Sequence, residues 1–356
     1  MIQGKSLLKP ALLKNFVLSL ALLLPASSLL AAPPAALDKQ LNITFCIYDP
    51  VGSGGDAATR ARDLALEARK WNINTTVKVY TDERVASEDF KAGQCEGLVV
   101  TTLRARQFNK FMGSLDAVGA IRDAKEMRAV LQTLANPKII PLTISGPYQV
   151  IGIVPLGAAY VFVNDRSINS IEKAAGKKVA VLDWDKSQAK LVQQMGAQPV
   201  ASDITNFASK FNNGQVDILV APAIIYKPFE LYRGLGTKGA IFRYPLVQIS
   251  GAIIINRERL LKQVPDMDAR MLKMREFALT RVEEAFSFVE KSEKEIDSKY
   301  WLELTPVEKD KYTRLLRDAR LQLTADGTYD PQMMALLKRV RCKFEPQNFE
   351  CALKDE

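Results

Sequence analysis

The stretch GKKVAVLDWD, residues 176–185, decides how the chain is organised. It opens on Gly176 and two lysines, runs apolar from Val179 to Leu182, and stops at Asp183, Trp184 and Asp185. A short apolar run between polar turn signals is the pattern of a buried strand in a parallel sheet, where both faces are covered. In such sheets ligands meet the loops just beyond the carboxyl ends of the strands. Trp184 stands at one such end, and an indole there can wall a cleft and pack on a ligand. Asp183 and Asp185 alone make a poor divalent-metal site.

Flanking segments repeat the same punctuation. LNITFCIY (41–48) reads as a strand, DPVGSGGDA as a glycine-rich turn and RARDLALEARKW (60–71) as an amphipathic helix. TTVKVY (75–80) and Gly97 to Thr101 follow as strands, and this β-α-β-α-β order predicts a parallel sheet with crossover helices. Residues 123–135 read as a helix. Tyr148 to Val154 and Ala159 to Val163 read as two strands, broken at Pro155 and Gly157. After the opening stretch come a helix from Lys186 stopped at Gly196, an extended piece to Val200, a helix over 204–212 and strands over 216–220 and 252–255. Residues 258–320 are rich in Leu, Lys, Glu and Arg at helical spacing, with Met271, Met274, Phe277, Ala278 and Val282 as a core-facing stripe. Met333 to Arg341 adds a last helix.

At 356 residues the chain is long enough for two domains, and 47% apolar with 25% charged content is that of a globular protein. It holds no histidine, which excludes His-based triads, His metal sites and His proton shuttles. No G-x-S-x-G or other nucleophile motif is present. These features count against an enzyme, and no cofactor or metal is expected.

Residues 1–36 carry Lys5, Lys9 and Lys14, an apolar core from Phe16 to Leu24, then small residues and prolines, with no acid. That is the make-up of a cleavable secretory signal peptide, too short and interrupted for a membrane span. It predicts export to the periplasm. Its removal takes away three lysines and lowers the formal charge from +9 to +6. The remaining charge is dispersed among acids, which argues against a nucleic-acid partner.

Four cysteines remain, Cys46, Cys95, Cys342 and Cys351, and an even number in an oxidising compartment predicts two disulfides out of three possible pairings. Cys342 and Cys351 flank the short loop KFEPQNFE, while Cys46 and Cys95 sit in or beside neighbouring strands. The expected pairs are therefore Cys46–Cys95 and Cys342–Cys351. A zinc site would need C-x-x-C spacing or histidine.

The strand ends nominate the binding residues. Tyr48, Asp49 and Ser53 surround PVGSGGDAATR, whose backbone N–H groups can face an anion at a helix start; it matches no nucleotide-binding motif. Thr101 and Arg104 follow the third strand, and a guanidinium there suits a ligand carboxylate or phosphate. Arg106 reads more as a surface residue. The second half offers Asp183, Trp184, Tyr226, Arg243 and Gln248.

The run from Ser167 to Tyr226 resembles the second lobe of TRAP-type solute-binding proteins of the DctP kind. The matches are Ile171, Gly176 and Lys178, then Gly196, Ala197, Pro199 and Val200, then Gly214, Val216 and Asp217. The chain as a whole, with RARQFN and the terminal cysteine loop, is similar to a family of periplasmic solute-binding proteins labelled AdeT, which has also been linked to efflux. The resemblance implies a type II periplasmic-binding-protein fold: two α/β lobes, with C-terminal helices. Lobe one would comprise residues 37–153 with 251–356 returning, and lobe two residues 154–250. A small solute, an anion among the options, would bind between them and pass to a membrane permease. The resemblance also places a ligand-pairing arginine in the strand after Lys178, where this chain has Ala180; Arg104 or Arg243 is the candidate replacement. The competing classes are a periplasmic hydrolase or transferase using Asp183 and Asp185, and an envelope adaptor presenting its charged helices.

Overall fold

The computed structural model describes residues 39–356, so the signal-peptide reading of residues 1–36 lies outside the described residues. The first half alternates as expected: β1 (Leu41–Tyr48), α1 (Asp56–Ala68), β2 (Ile73–Tyr80), α2 (Glu83–Lys91) and β3 (Gly97–Thr101). Three helices follow, α3 (Thr102–Ala105), α4 (Lys110–Gly113) and α5 (Ala124–Leu134), then the short β4 (Ile144–Ser145) and the long β5 (Tyr148–Val163). The next unit runs α6 (Ile171–Ala174), β6 (Lys178–Leu182), α7 (Lys186–Gln194), β7 (Gln198–Ser202), α8 (Phe207–Asn212) and β8 (Ile218–Pro222). Then come α9 (Tyr232–Leu235), β9 (Ala240–Phe242) and the second long strand, β10 (Val247–Asn256). The rest is helical apart from β11: α10 (Arg257–Gln263), α11 (Met267–Thr280), α12 (Val282–Lys294), β11 (Trp301–Leu302), α13 (Pro306–Ala325) and α14 (Pro331–Phe344).

One mixed sheet runs through the molecule in the order β2-β1-β3-β10-β5-β8-β6-β7. Its two ends are parallel, β2-β1-β3 and β8-β6-β7. The middle is antiparallel, with β10 joined to both β3 and β5, and β5 to β8. The opening stretch is β6, paired with β7 over Lys178 to Leu182.

The two strands expected on either side of Pro155 are a single one, a correction with a clear physical cause. Ile249 pairs with Gly157 and Ser250 with Pro155, leaving Leu156 unmatched. Proline has no N–H to give the ladder, and a bulge is where a strand tolerates it. Gly157 takes a φ of +92°, which favours glycine. The long partner β10 carries pairing past the defect. β5 thus pairs with β10 over Tyr148–Ala159 and with β8 over Ala159–Val163.

Four apolar clusters cover the sheet. Leu41, Ile43, Ile73, Leu260 and Met271 pack β1 and β2 beneath α10 and α11. Leu98, Val100, Phe90, Met127 and Leu337 bind β3 to α2, α5 and α14. At the other end Phe162, Phe211, Leu219 and Ile241 fill one face, and Val161, Val179, Val181 and Phe242 the other. Helix α13 joins two of these: its Tyr312, edge-on to Phe242, belongs to the cluster of Val179, and its Leu323 to that of Leu98 and Val100.

Both expected disulfides are formed, Cys46–Cys95 with Cα atoms 5.8 Å apart and Cys342–Cys351 with 5.6 Å. Next to the second, Arg320 and Arg341 are buried and share Glu350 at 2.9 and 3.0 Å. Glu356 pairs with both. The same two arginines donate to the carbonyls of Val118 and Ala120, each at 3.0 Å. Among the described residues no helix is long and apolar enough to cross a membrane, and no group of His, Cys, Asp or Glu is arranged to hold a metal ion.

Candidate ligand-binding site

The ends of β1, β2 and β3 converge. Thr101 closes β3 and caps α3, its hydroxyl accepting the Arg104 N–H at 3.1 Å. The same hydroxyl donates to Glu83 Oε2 at 2.7 Å, and the Thr101 N–H reaches that oxygen at 3.2 Å. Arg104 Nε stands 3.4 Å from Glu83 Oε1. Glu83 is only 1% exposed, and burial pushes its carboxyl above the usual range against the opposing charge of Arg104. Tyr48, at the end of β1, has its hydroxyl pushed strongly up by burial and then by the negative field of Glu83, Asp49 and Asp82.

Trp184 reaches this cluster from the second half of the sheet. It lies on the turn between β6 and α7, and the Arg104 guanidinium sits 3.9 Å from the centre of its indole. A cation stacked on an indole at this range is attracted by the ring's quadrupole. Asp185 holds the turn in shape. It is buried and caps α7 by accepting the Ser187 N–H at 3.0 Å, with Gln188 Nε2 at 3.2 Å. Asp183 is anchored by its backbone N–H to the Ser202 carbonyl at 2.9 Å and leaves its side chain exposed.

Other nominated residues sit apart from that contact. Asp49 is buried, and its two carboxylate oxygens accept the N–H groups of Val51 and Ala58, each at 2.9 Å. It caps α1 from a distance, and a Cβ on Gly55 would fall 2.1 Å from Asp49 Oδ1. Ser53 is exposed, and its carbonyl accepts a bond from Arg62. Tyr226 is buried in the core of the second half, edge-on to Tyr232, with its hydroxyl pushed up to about 12 by burial. Arg243 follows β9, pairs with Glu303 at 2.9 Å and stacks on Trp301 at 4.6 Å. Gln248 is buried on β10 with no side-chain hydrogen bond to another described residue.

Glu83 and Asp116 carry no signal of their role in the sequence, and Arg106 reads there slightly more as a surface residue than Arg104 does. Glu83 opens α2 immediately after Asp82, where an acid at a helix start reads only as favourable to the helix dipole. Arg106 places its Cζ 5.1 Å from the centre of the Tyr329 ring. Asp116 is buried on the loop after α4 and accepts the Ser250 N–H at 3.0 Å and its hydroxyl at 2.6 Å. The Ser250 hydroxyl also lies 2.8 Å from that of Thr102. Burial raises Asp116 to about 7, opposed by the Ser250 bonds and the charge of Arg106.

An open cup of about 400 Å³ lies elsewhere, lined by Asp165, Arg166, Thr237, Lys238, Lys299 and Tyr300. Arg166 is held there by the carbonyls of Gly239 and Lys299, and none of the strand-end residues lines the cup.

The sequence signature described as "Solute-binding protein AdeT 1/2" matches residues 64–356. A protein of Acinetobacter baumannii described as "Probable solute-binding protein AdeT1" is 48% identical over 310 residues, spanning 87% of this chain and 100% of the relative. A second, "Probable solute-binding protein AdeT2" of the same organism, is 28% identical over 242 residues, 68% of this chain and 99% of the relative. In three dimensions the chain resembles a TRAP periplasmic solute-binding protein of Desulfovibrio desulfuricans that holds sn-glycerol-3-phosphate. The TM-score is 0.68 at 14% identity, covering 84% of this chain and 96% of that one. A TRAP protein of Ralstonia eutropha holding (S)-2-acetolactate superposes with a TM-score of 0.67 at 14% identity, covering 85% and 99%. These superpositions establish the two-lobe α/β fold. With the sequence match over most of its length, the chain belongs to the AdeT 1/2 family of solute-binding proteins.

Proposed function

We propose that this protein captures a small solute between its two lobes in the periplasm and presents it to a membrane permease. Residues 37–153 with 251–356 form one lobe in this reading, and residues 154–250 the other. The observation that carries it is the contact of Arg104 with Trp184, which brings a strand end of one half against a strand end of the other. Strand-end loops facing one another across shared strands are the usual seat of a ligand in open α/β sheets. Tyr48, Thr101, Arg104, Asp183 and Trp184 face the solute, and Glu83 holds Arg104 in place. Asp49, Ser53, Tyr226, Arg243 and Gln248 support the walls. The basic, acid-free leader supports a periplasmic location.

In this reading closure on the solute bends the molecule at the bulge at Leu156, an irregularity inside the long pairing of β5 with β10. Native mass spectrometry of protein drawn from the periplasm tests the proposal. A small molecule should co-purify, and Trp184→Ala should lose it. A chain that carries none, and whose melting temperature no metabolite moves, would remove the solute-capture role.

A further inference from the structure

We infer that the protein carries a second ligand site, away from the strand ends: a cleft between α5, α11 and β5 in which Arg275 holds a short-chain monocarboxylate of about four to six carbons. The site is separate from the interlobe solute proposed above. Every residue that lines the cleft falls within 112–153 or 275–282, inside a single lobe of that reading.

The cleft has a cause in the sheet. On the side away from β10, β4 covers β5 only as far as Gln149, and β8 takes up the edge at Ala159. Between those residues that edge has no strand neighbour among the described residues, and α5 and α11 lie against β5. Strands pair about 4.8 Å apart, whereas a helix with its side chains is about 10 Å across, so helices meeting over an edge leave a gap. Met112, Leu131, Leu134, Val150 and Val282 wall it, and its free volume is about 50 Å³. A water-sized group needs about 10–15 Å³ of such space, so the gap takes on the order of four. Leu279 at its rim is 42% exposed, which gives entry from solvent over an apolar lip.

Only two polar side chains line the cleft, Thr143 and Arg275. The Thr143 hydroxyl donates to the Ile140 carbonyl at 2.8 Å. Arg275 Nη2 donates to the Leu134 carbonyl and so caps the end of α5. Capping accounts for that nitrogen alone. Nη1 is shut off from solvent and has no acceptor among the described residues. Burial lowers the pKa of Arg275, and no neighbouring acid opposes the effect. Arg106 and Arg257 also carry a buried unpartnered nitrogen, yet each lies near an acid, Asp116 and Asp268. Arg275 is therefore a cation among apolar walls without a counter-charge. A carboxylate supplies the missing charge and an acceptor for Nη1, and its alkyl tail fills the gap. A second anionic group on the ligand would meet only apolar walls, so the fit is to a monoanion.

Titration calorimetry of the purified protein with butanoate, pentanoate and hexanoate tests the site, with pentanol and pentylamine as neutral and cationic controls. At least one of the acids should bind, about tenfold or more tighter than either control. Arg275→Gln should weaken it by about tenfold or more with an unchanged circular-dichroism spectrum. Ala278→Leu, which fills the cleft one helical turn from Arg275, should do the same while leaving the charge in place. Trp184→Ala should stay within about threefold of wild type, because the interlobe seat is not involved. If Arg275→Gln does not fold, Ala278→Leu decides: affinity equal to wild type overturns the inference. So does a wild type that binds none of the acids, one that takes pentanol as well as pentanoate, or one whose binding is lost with Trp184→Ala and kept with Arg275→Gln. The last result places the acid between the lobes, and none of these results removes interlobe capture.

Discussion

Arg104 is held from two directions: its Nε lies 3.4 Å from the buried Glu83, and its guanidinium lies 3.9 Å from the centre of the Trp184 ring. The two contacts differ in energy. Losing the indole by Trp184→Ala removes a partly exposed cation–π pair and should cost about 1 kcal/mol. Arg104→Ala leaves the Glu83 carboxylate buried without its partner and should cost about 3 kcal/mol. Adding Glu83→Gln to Arg104→Ala should restore part of that loss. Urea unfolding of the three variants measures the order, and equal losses for Trp184→Ala and Arg104→Ala would reject it.

Asp116 gives the fold a pH response of known sign. Its folded carboxyl titrates at about 7, above the ordinary value of 3.8, so the folded state holds the proton more tightly than the unfolded one. Its contribution is therefore fully present below about pH 4 and is lost as pH rises toward 7. Many exposed acids act in the opposite sense, so the difference between wild type and Asp116→Asn isolates the group. The unfolding free energy of wild type relative to that variant should fall between pH 5 and pH 8, by an amount on the order of a few kcal/mol. A constant difference would show that Asp116 titrates normally.

Glu356 neutralises buried charge near the end of α13 and α14. Without it Arg320 and Arg341 would share Glu350 alone, one buried cation in excess. Glu356→Ala should destabilise the chain by about 3 kcal/mol, while Glu356→Ala with Arg341→Met should lose less than the single change. Thermal unfolding at fixed pH and salt reads both. A single variant that melts with wild type would place Glu356 in solvent.

Gly157 occupies the bulge between β5 and β10. A Cβ there would lie 2.5 Å from Val289 Cγ1, and the backbone already holds a φ of +92°. Gly157→Ala should cost about 2 kcal/mol or more. Shortening the obstacle with Val289→Ala should recover only the steric part, because the φ penalty remains. Full recovery in the double variant would mean that backbone strain contributes nothing.

The strands and helices of the two parallel ends were legible because both periods are strong there. Val179 to Leu182 stopped at Asp183 in the structure as in the sequence, and both disulfide pairs followed from neighbouring strands and a short loop. The join at Pro155 was not, since a lone proline inside an apolar run signals a break and only the partner strand β10 shows that pairing continues. At the site, Thr101, Arg104 and Trp184 were legible as strand-end residues. Glu83 and Asp116 were not, because what singles them out is burial and saturated partners, and these depend on segments far away in sequence such as Thr101 and Ser250. Asp49 and Tyr226 carried the right chemistry at the right strand ends, yet backbone capping and core packing claim them.

Since β10 is joined to β3, β5 to β8 and the two to each other along most of their length, the halves share no simple tether that a protease or a gene break could sever cleanly. Expressing either half by itself would strip a long strand of one neighbour and bare a flat, apolar edge such as Ile253 to Ile255, the kind of edge that recruits other chains. The halves are therefore obliged to fold, persist and be degraded as one object.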